Sequence, residues 1–182
     1  MRYASIRELD ISNGEGVGVA LFVQGCRFAC KNCFNPDTWD FNGGKEWTQD
    51  TEDKLIELAN KPYIKRLSIL GGEPLADENL DGVLHLVDRF RLLLPSKTIW
   101  LYTGFSWNDI FTTQENEPFE HEKEFMNMAK RQVILKQCDV VVDGRYIDSL
   151  HDPKLKWKGS SNQRCINVKE SLKQNKIILY CD

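Results

Sequence analysis

Apolar residues in this chain follow two periods in turn. Residues 4 to 11 and 18 to 24 read as strands joined by the turn Asn13-Gly14-Glu15-Gly16, which predicts an N-terminal β-hairpin. From 49 to 60 the spacing changes to that of a helix, with Leu55, Ile56, Leu58 and Ala59 on one side, acidic residues near the start and Lys61-Pro62 at the end. The run LSIL (67 to 70) predicts the next strand, stopped by Gly71-Gly72. Leu80, Val83, Leu84, Val87, Phe90 and Leu94 then recur at helical spacing, so a helix is expected over 78 to 94. TIWLY (98 to 102) and DVVVD (139 to 143) are two further strands, and the charged stretch 114 to 132 between them predicts an exposed helix with long flanks.

Strand and helix in regular alternation predict an α/β fold with a mainly parallel sheet and crossover helices. The units are too few for a closed eight-stranded barrel, so a partial (βα) barrel or an open sheet is expected. With 182 residues and 41% hydrophobic content, the chain reads as a single domain with one ordinary core. It shows no repeat of fixed period and no low-complexity tract.

A formal net charge of -3 gives no basic footprint for nucleic acid or for an acidic membrane surface. No apolar stretch approaches a membrane span, and MRYASIRELD lacks the apolar run of a signal peptide, so a cytoplasmic address is expected. In a reducing compartment cysteines serve as metal ligands or free thiols rather than disulfides. Three of the six stand together in GCRFACKNC as Cys26, Cys30 and Cys33. Cys138, Cys165 and Cys181 stand singly and read as small hydrophobes.

Thiolates are the ligands that iron clusters use, and three on one short loop leave one iron of a 4Fe-4S cluster open to a substrate or cofactor. Gly25, just ahead of the first cysteine, lets the loop curl tightly. Spacing alone leaves open a zinc site completed by His85, His121, His151 or a distant cysteine. Gly71-Gly72-Glu73-Pro74 closes the next predicted strand of the repeating unit. A Gly-Gly turn needs no ligand, yet glycines also let backbone groups reach one.

Taken together, the Cys-x3-Cys-x2-Cys loop and the GGEP strand end resemble the radical S-adenosylmethionine superfamily. The run GEGVGVALFVQGCRFACKNCFN (14 to 35) is similar to the signature of the glycyl-radical activating enzymes. VVDGRY (141 to 146) followed by DPKLKWKGSSNQR (152 to 164) resembles the branch that activates anaerobic, class III ribonucleotide reductases. The resemblance implies a radical-SAM type fold and a 4Fe-4S cluster on Cys26, Cys30 and Cys33. It implies S-adenosylmethionine held by Gly71, Gly72, Glu73 and Pro74, with Asn32 and Phe34 near the adenine and Thr103 and Asp143 as ribose or carboxylate contacts. Many superfamily members carry an aromatic just before the third cysteine, where this chain has Asn32 with Phe34 following.

The activity implied is reductive cleavage of S-adenosylmethionine, giving a 5′-deoxyadenosyl radical that takes a hydrogen from a glycine of the reductase. The partners implied are the anaerobic ribonucleoside-triphosphate reductase and a flavodoxin or ferredoxin as electron donor. Thr103 and Asp143 read equally as a strand cap and a turn residue. Arg145 and Gly159 to Arg164 are candidates to face the reductase or the cofactor, although such a polar run reads more readily as an exposed loop. Three other functions stay open: an activase of a different glycyl-radical enzyme, a small-molecule radical enzyme such as a deazaguanine synthase, and a non-enzymatic module stapled by zinc.

Overall fold

A computed structural model of the chain describes residues 1–111 and 122–181. One mixed sheet of eight strands organises it. The strands are β1 (Arg2–Asp10), β2 (Gly18–Val23), β3 (Lys45–Glu46), β4 (Arg66–Gly71), β5 (Thr98–Tyr102), β6 (Val140–Asp143), β7 (Arg164–Asn167) and β8 (Leu179–Cys181), in the order β3-β1-β2-β4-β5-β6-β7-β8. The four central strands β2, β4, β5 and β6 run parallel, in register from Gly18↔Arg66 through Arg66↔Thr98 to Trp100↔Val140. Antiparallel strands flank them on both sides: β1 and β3 before β2, and β7 and β8 after β6.

The expected helices form close to their expected limits. Helix α1 (Gln49–Asn60) starts at Thr48, whose Oγ1 accepts from the Thr51 backbone N–H at 3.2 Å and so satisfies one of the free donors of the first turn. Helix α2 (Leu80–Leu93) buries Leu80, Val83, Leu86, Val87 and Phe90. Short helix α3 (Trp107–Phe111) and helix α4 (Glu122–Gln137) follow β5, and α5 (Val168–Gln174) follows β7. The exposed helix expected over 114 to 132 is met from Glu122 onward; its first part lies outside the described residues. Helix α4 runs five residues further, and its C-terminal half buries Ile134 and Leu135, so it is a packed helix rather than a solvated one.

The helices cover a single face of the sheet. Val19, Leu21 and Val23 of β2, Leu67 and Ile69 of β4, Ile99 and Leu101 of β5 and Val141 of β6 share one buried cluster with the apolar sides of the helices. Alternate residues of the same strands point to the other face, as the period of a strand requires. There Ala20, Phe22 and Leu70 form one patch, and Trp100, Val140, Val142 and Cys165 another. Next to these a charged pair is buried: the Arg66 guanidinium donates to Asp10 Oδ1 at 2.7 Å and to Ser68 Oγ at 2.6 Å. The chain also reaches across this face, where the Tyr180 hydroxyl of β8 donates to Glu15 in the β1–β2 turn. No described helix is long and apolar enough to cross a membrane.

Candidate functional site

The C-terminal ends of β2, β4 and β5, with the loops that follow β2, β4, β5 and β6, enclose one cavity of about 760 Å³ on the face away from the helices. Active sites of parallel α/β folds gather at this edge because the loops leaving successive strands converge there. Phe22, Leu70 and Tyr102, inward-facing on adjacent strands, belong to its lining. The volume lies within the range of small-molecule and cofactor pockets.

The cysteine loop leaves β2 and is turned by Gly25. Its φ of +96° lies in the region that favours glycine, and a side chain there would strike the Phe41 ring. Backbone bonds anchor the entry: Gly25 N–H donates to Thr38 O at 2.8 Å and Cys26 N–H to Trp39 O at 3.0 Å. Cys26, Cys30 and Cys33 all line the cavity, and each is half-buried. Burial pushes the Cys26 thiol up; the Phe28 backbone opposes this, and Glu73 and the other two thiols reinforce it. Among the described residues no three Cys, His, Asp or Glu side chains converge tightly enough to hold a single metal ion.

The β4 turn meets this loop at van der Waals range. Glu73 N–H donates to Gly25 O at 2.8 Å and Gly72 N–H to Val23 O at 2.9 Å, which ties the two strand ends together. A Cβ on Gly72 would lie 2.5 Å from Gly25 O, so only glycine permits the approach. Gly71, Gly72 and Glu73 line the cavity and Pro74 does not.

Glu73 is 3% exposed, and its carboxylate is already engaged. Oε1 accepts from Thr103 Oγ1 at 2.8 Å and from Leu75 N–H at 2.9 Å, and Oε2 accepts from Gly104 N–H at 2.8 Å. Burial nevertheless outweighs these donors and lifts its pKa to about 7. Thr103 thus ties the end of β5 to the end of β4 while standing in the cavity wall.

Besides Pro74, two more of the expected residues stand outside the lining, Asp143 and Asn32. Asp143 is 1% exposed, and its Oδ2 accepts from Trp107 N–H at 2.7 Å while Oδ1 accepts from Arg164 Nε at 3.0 Å. Asn32 has a φ of +54°, a conformation that asparagine tolerates better than most residues, and donates to Asp148 Oδ2 at 3.0 Å. Phe34 does line the cavity, with its ring 5.0 Å from that of Tyr146 and 5.6 Å from that of His151.

The cavity also draws in residues whose part in it the sequence pattern does not reveal. Arg7, Asn13, Tyr102 and Trp157 belong to its lining. The Tyr102 hydroxyl is buried without a hydrogen-bond partner. A tyrosine ending an apolar strand reads as core, and only the strand register shows that its ring turns inward. The segment after β6 and the polar run 159 to 164 are joined: Gln163 Nε2 donates to Gly144 O at 2.9 Å and Asn162 Nδ2 to Arg145 O at 2.8 Å. Ser160, expected in an exposed loop, is fully buried.

The remaining cysteines lie elsewhere. Cys138 and Cys165 are fully buried, and burial pushes both thiols up to about 12, for Cys165 with the neighbouring Cys181 thiol adding to it. Cys181 is half-buried and faces Cys165 across the β7–β8 ladder. His85 stands on α2, where its Nδ1 lies 3.1 Å from the buried Glu52 carboxylate, and His121 lies outside the described residues.

Comparison with known proteins places these features in a group. Residues 12–166 match the family described as a 4Fe-4S single cluster domain. The anaerobic ribonucleoside-triphosphate reductase-activating proteins of Vibrio cholerae and Escherichia coli are each 38% identical over 165 residues, covering 90% of this chain and 96% of theirs. The protein of that name from Enterobacteria phage T4 is 36% identical over 164 residues, covering 90% of this chain and 92% of its own.

Proposed function

The chain belongs to the family of anaerobic ribonucleoside-triphosphate reductase-activating proteins, and from that membership we propose that it installs the glycyl radical of such a reductase. The observation that carries this reading is the meeting of three thiols with the Gly71-Gly72 turn in one cavity. A 4Fe-4S cluster with an open iron, when bound, supplies the electron that cleaves S-adenosylmethionine to methionine and the 5′-deoxyadenosyl radical, which takes hydrogen from a reductase glycine.

This chain's residues hold and orient. Cys26, Cys30 and Cys33 would hold the cluster as its three thiolate ligands and leave one iron open. Such a set differs from that of a zinc staple, which needs its donors gathered round one ion. The backbone of Gly71 and Gly72, free of side chains, receives the methionine end of S-adenosylmethionine, and Phe34 packs on the adenine. The unpartnered Tyr102 hydroxyl and the cavity volume both suit a polar ligand there.

Glu73 and Thr103 stiffen the wall on which S-adenosylmethionine rests, each spending its hydrogen bonds on the other and on nearby backbone. Asn32, Pro74 and Asp143 serve from behind the lining. Asn32 fixes the loop between the second and third cysteines, Pro74 opens the turn closed by Ala76 N–H donating to Glu73 O, and Asp143 holds Arg164 in place.

We also read the sheet as a partial barrel. Its helices cover one face only. Glu15 and Tyr180 touch although five strand spacings separate β2 from β8, roughly 24 Å in a flat sheet. An incomplete barrel leaves the cluster edge open to a second protein, and a flavodoxin or ferredoxin is the electron donor we expect.

Anaerobically reconstituted protein tests this reading. Reduced with dithionite in the presence of S-adenosylmethionine, it is expected to release 5′-deoxyadenosine and methionine in equal amounts. A colourless protein that takes up only zinc overturns the proposal.

A further inference from the structure

We propose that the segment after β6 is a clamp that sets the shape of the cysteine loop, with Arg145 and Asp148 as its positioning residues. This inference rests on the reading of Cys26, Cys30 and Cys33 as ligands. The stretch 27 to 32 lies outside any helix or strand, so its shape must come from contacts with other parts of the fold. At its start Arg27 pairs with Glu78 and lies over the Phe41 ring. Further on, two residues of the VVDGRYID run grip it, one on each side of Cys30.

Between Cys26 and Cys30, Arg145 Nη2 donates to Phe28 O at 2.7 Å, and its guanidinium lies over the Phe28 ring at 5.1 Å. That ring also meets Phe105 edge-on at 5.1 Å. Between Cys30 and Cys33, Asp148 accepts from Asn32 Nδ2 at 3.0 Å and lies 3.9 Å from Lys31 Nζ. The two grips fall where the loop departs from ordinary backbone, at Ala29 (φ +45°) and Asn32 (φ +54°). Positive φ in residues with side chains persists only where the surroundings enforce it.

The clamp is itself braced. Asn162 Nδ2 donates to Arg145 O and Gln163 Nε2 to Gly144 O, while Gln163 Oε1 accepts from Gly159 N–H at 2.8 Å. Gly144 N–H donates to Phe105 O at 3.0 Å, so the same hub supports the clamp and the Phe28 ring. The Arg145 bond is charge-assisted and bends the loop at its middle. Together these contacts give the DGRY and GSSNQR motifs a physical role, which is to hold three thiols in the arrangement a cluster needs before any iron arrives.

Anaerobic titration of the full metal-free chain with ferrous iron and sulfide, read by the charge-transfer absorbance of the assembled cluster, tests this without turnover. Arg145→Ala and Asp148→Ala are each expected to lower cluster uptake at limiting iron about tenfold, the scale of one charge-assisted hydrogen bond. Arg145→Lys, which keeps a donor for Phe28 O, is expected to recover part of that loss, and the melting temperature is expected to stay that of the unaltered chain. After reconstitution, the electron paramagnetic resonance signal of the reduced cluster should broaden in the two alanine variants. Unchanged cluster uptake in both variants overturns the clamp, and so does a loss that merely follows a fall in melting temperature. If the unaltered chain itself assembles no cluster, the ligand reading fails, an outcome distinct from failure of the clamp alone.

Discussion

The Asp10–Arg66 pair sits with both side chains wholly out of solvent. Burial raises the Asp10 carboxyl, but the Arg66 guanidinium and the Asn13 donors outweigh it and hold the group below the usual carboxylate range. A pKa lower in the folded than in the unfolded chain means stability that is present above the unfolded value, about 3.9, and lost as pH falls through the folded one. Asp10→Asn should cost about 3 kcal/mol at neutral pH, because it strands a buried guanidinium, and should flatten the acid limb of a urea-melt series below about pH 4. Cys30→Ala is the opposite kind of change. The side chain is half-buried outside the core, so the melting temperature of the metal-free protein should hold while bound iron, counted by chelator assay, is lost. The two sites also differ in legibility. Three thiols on one short loop are local and readable, whereas Asp143 gives no sign in the sequence that Arg164, 21 positions on, and Trp107, 36 positions back, already occupy its carboxylate.

Among the elements, the strand ends that build the cavity are joined by backbone. The Gly72 approach to Gly25 O leaves no room for a methyl group. Gly72→Ala should therefore push the β4 turn away from the cysteine loop, cutting S-adenosylmethionine binding by isothermal titration at least tenfold and costing about 1–3 kcal/mol of stability. Retained affinity would show that the turn does not receive the ligand. Elements carried by long apolar patterns were readable: the expected 49 to 60 became Gln49–Asn60, and 78 to 94 became Leu80–Leu93. The C-terminal β7, α5 and β8 were not. Strand β7 is only RCIN, with Cys165 and Ile166 as its apolar part, too short to show a period. It exists because β6 offers it an antiparallel ladder, from Val140↔Asn167 to Asp143↔Arg164.

For the whole molecule, the two faces of the sheet differ, one covered by helices and the other bearing the cavity beside its own buried patches. The helices stabilise; the opposite face, with the cysteine loop and the segment after β6, makes the cavity. Phe34 lines that cavity while remaining 63% exposed. The α/β class, the hairpin and the parallel centre follow from the sequence pattern, but which side chains line the cavity depends on strand register. Mixing the reduced, cluster-loaded chain anaerobically with its reductase and S-adenosylmethionine, and recording the electron paramagnetic resonance spectrum, tests glycyl-radical installation most directly. The expected result is a glycyl-radical doublet on the reductase, formed with release of 5′-deoxyadenosine and abolished by Cys30→Ala. Release of 5′-deoxyadenosine with no doublet on the reductase, or a doublet that persists in Cys30→Ala, would contradict it.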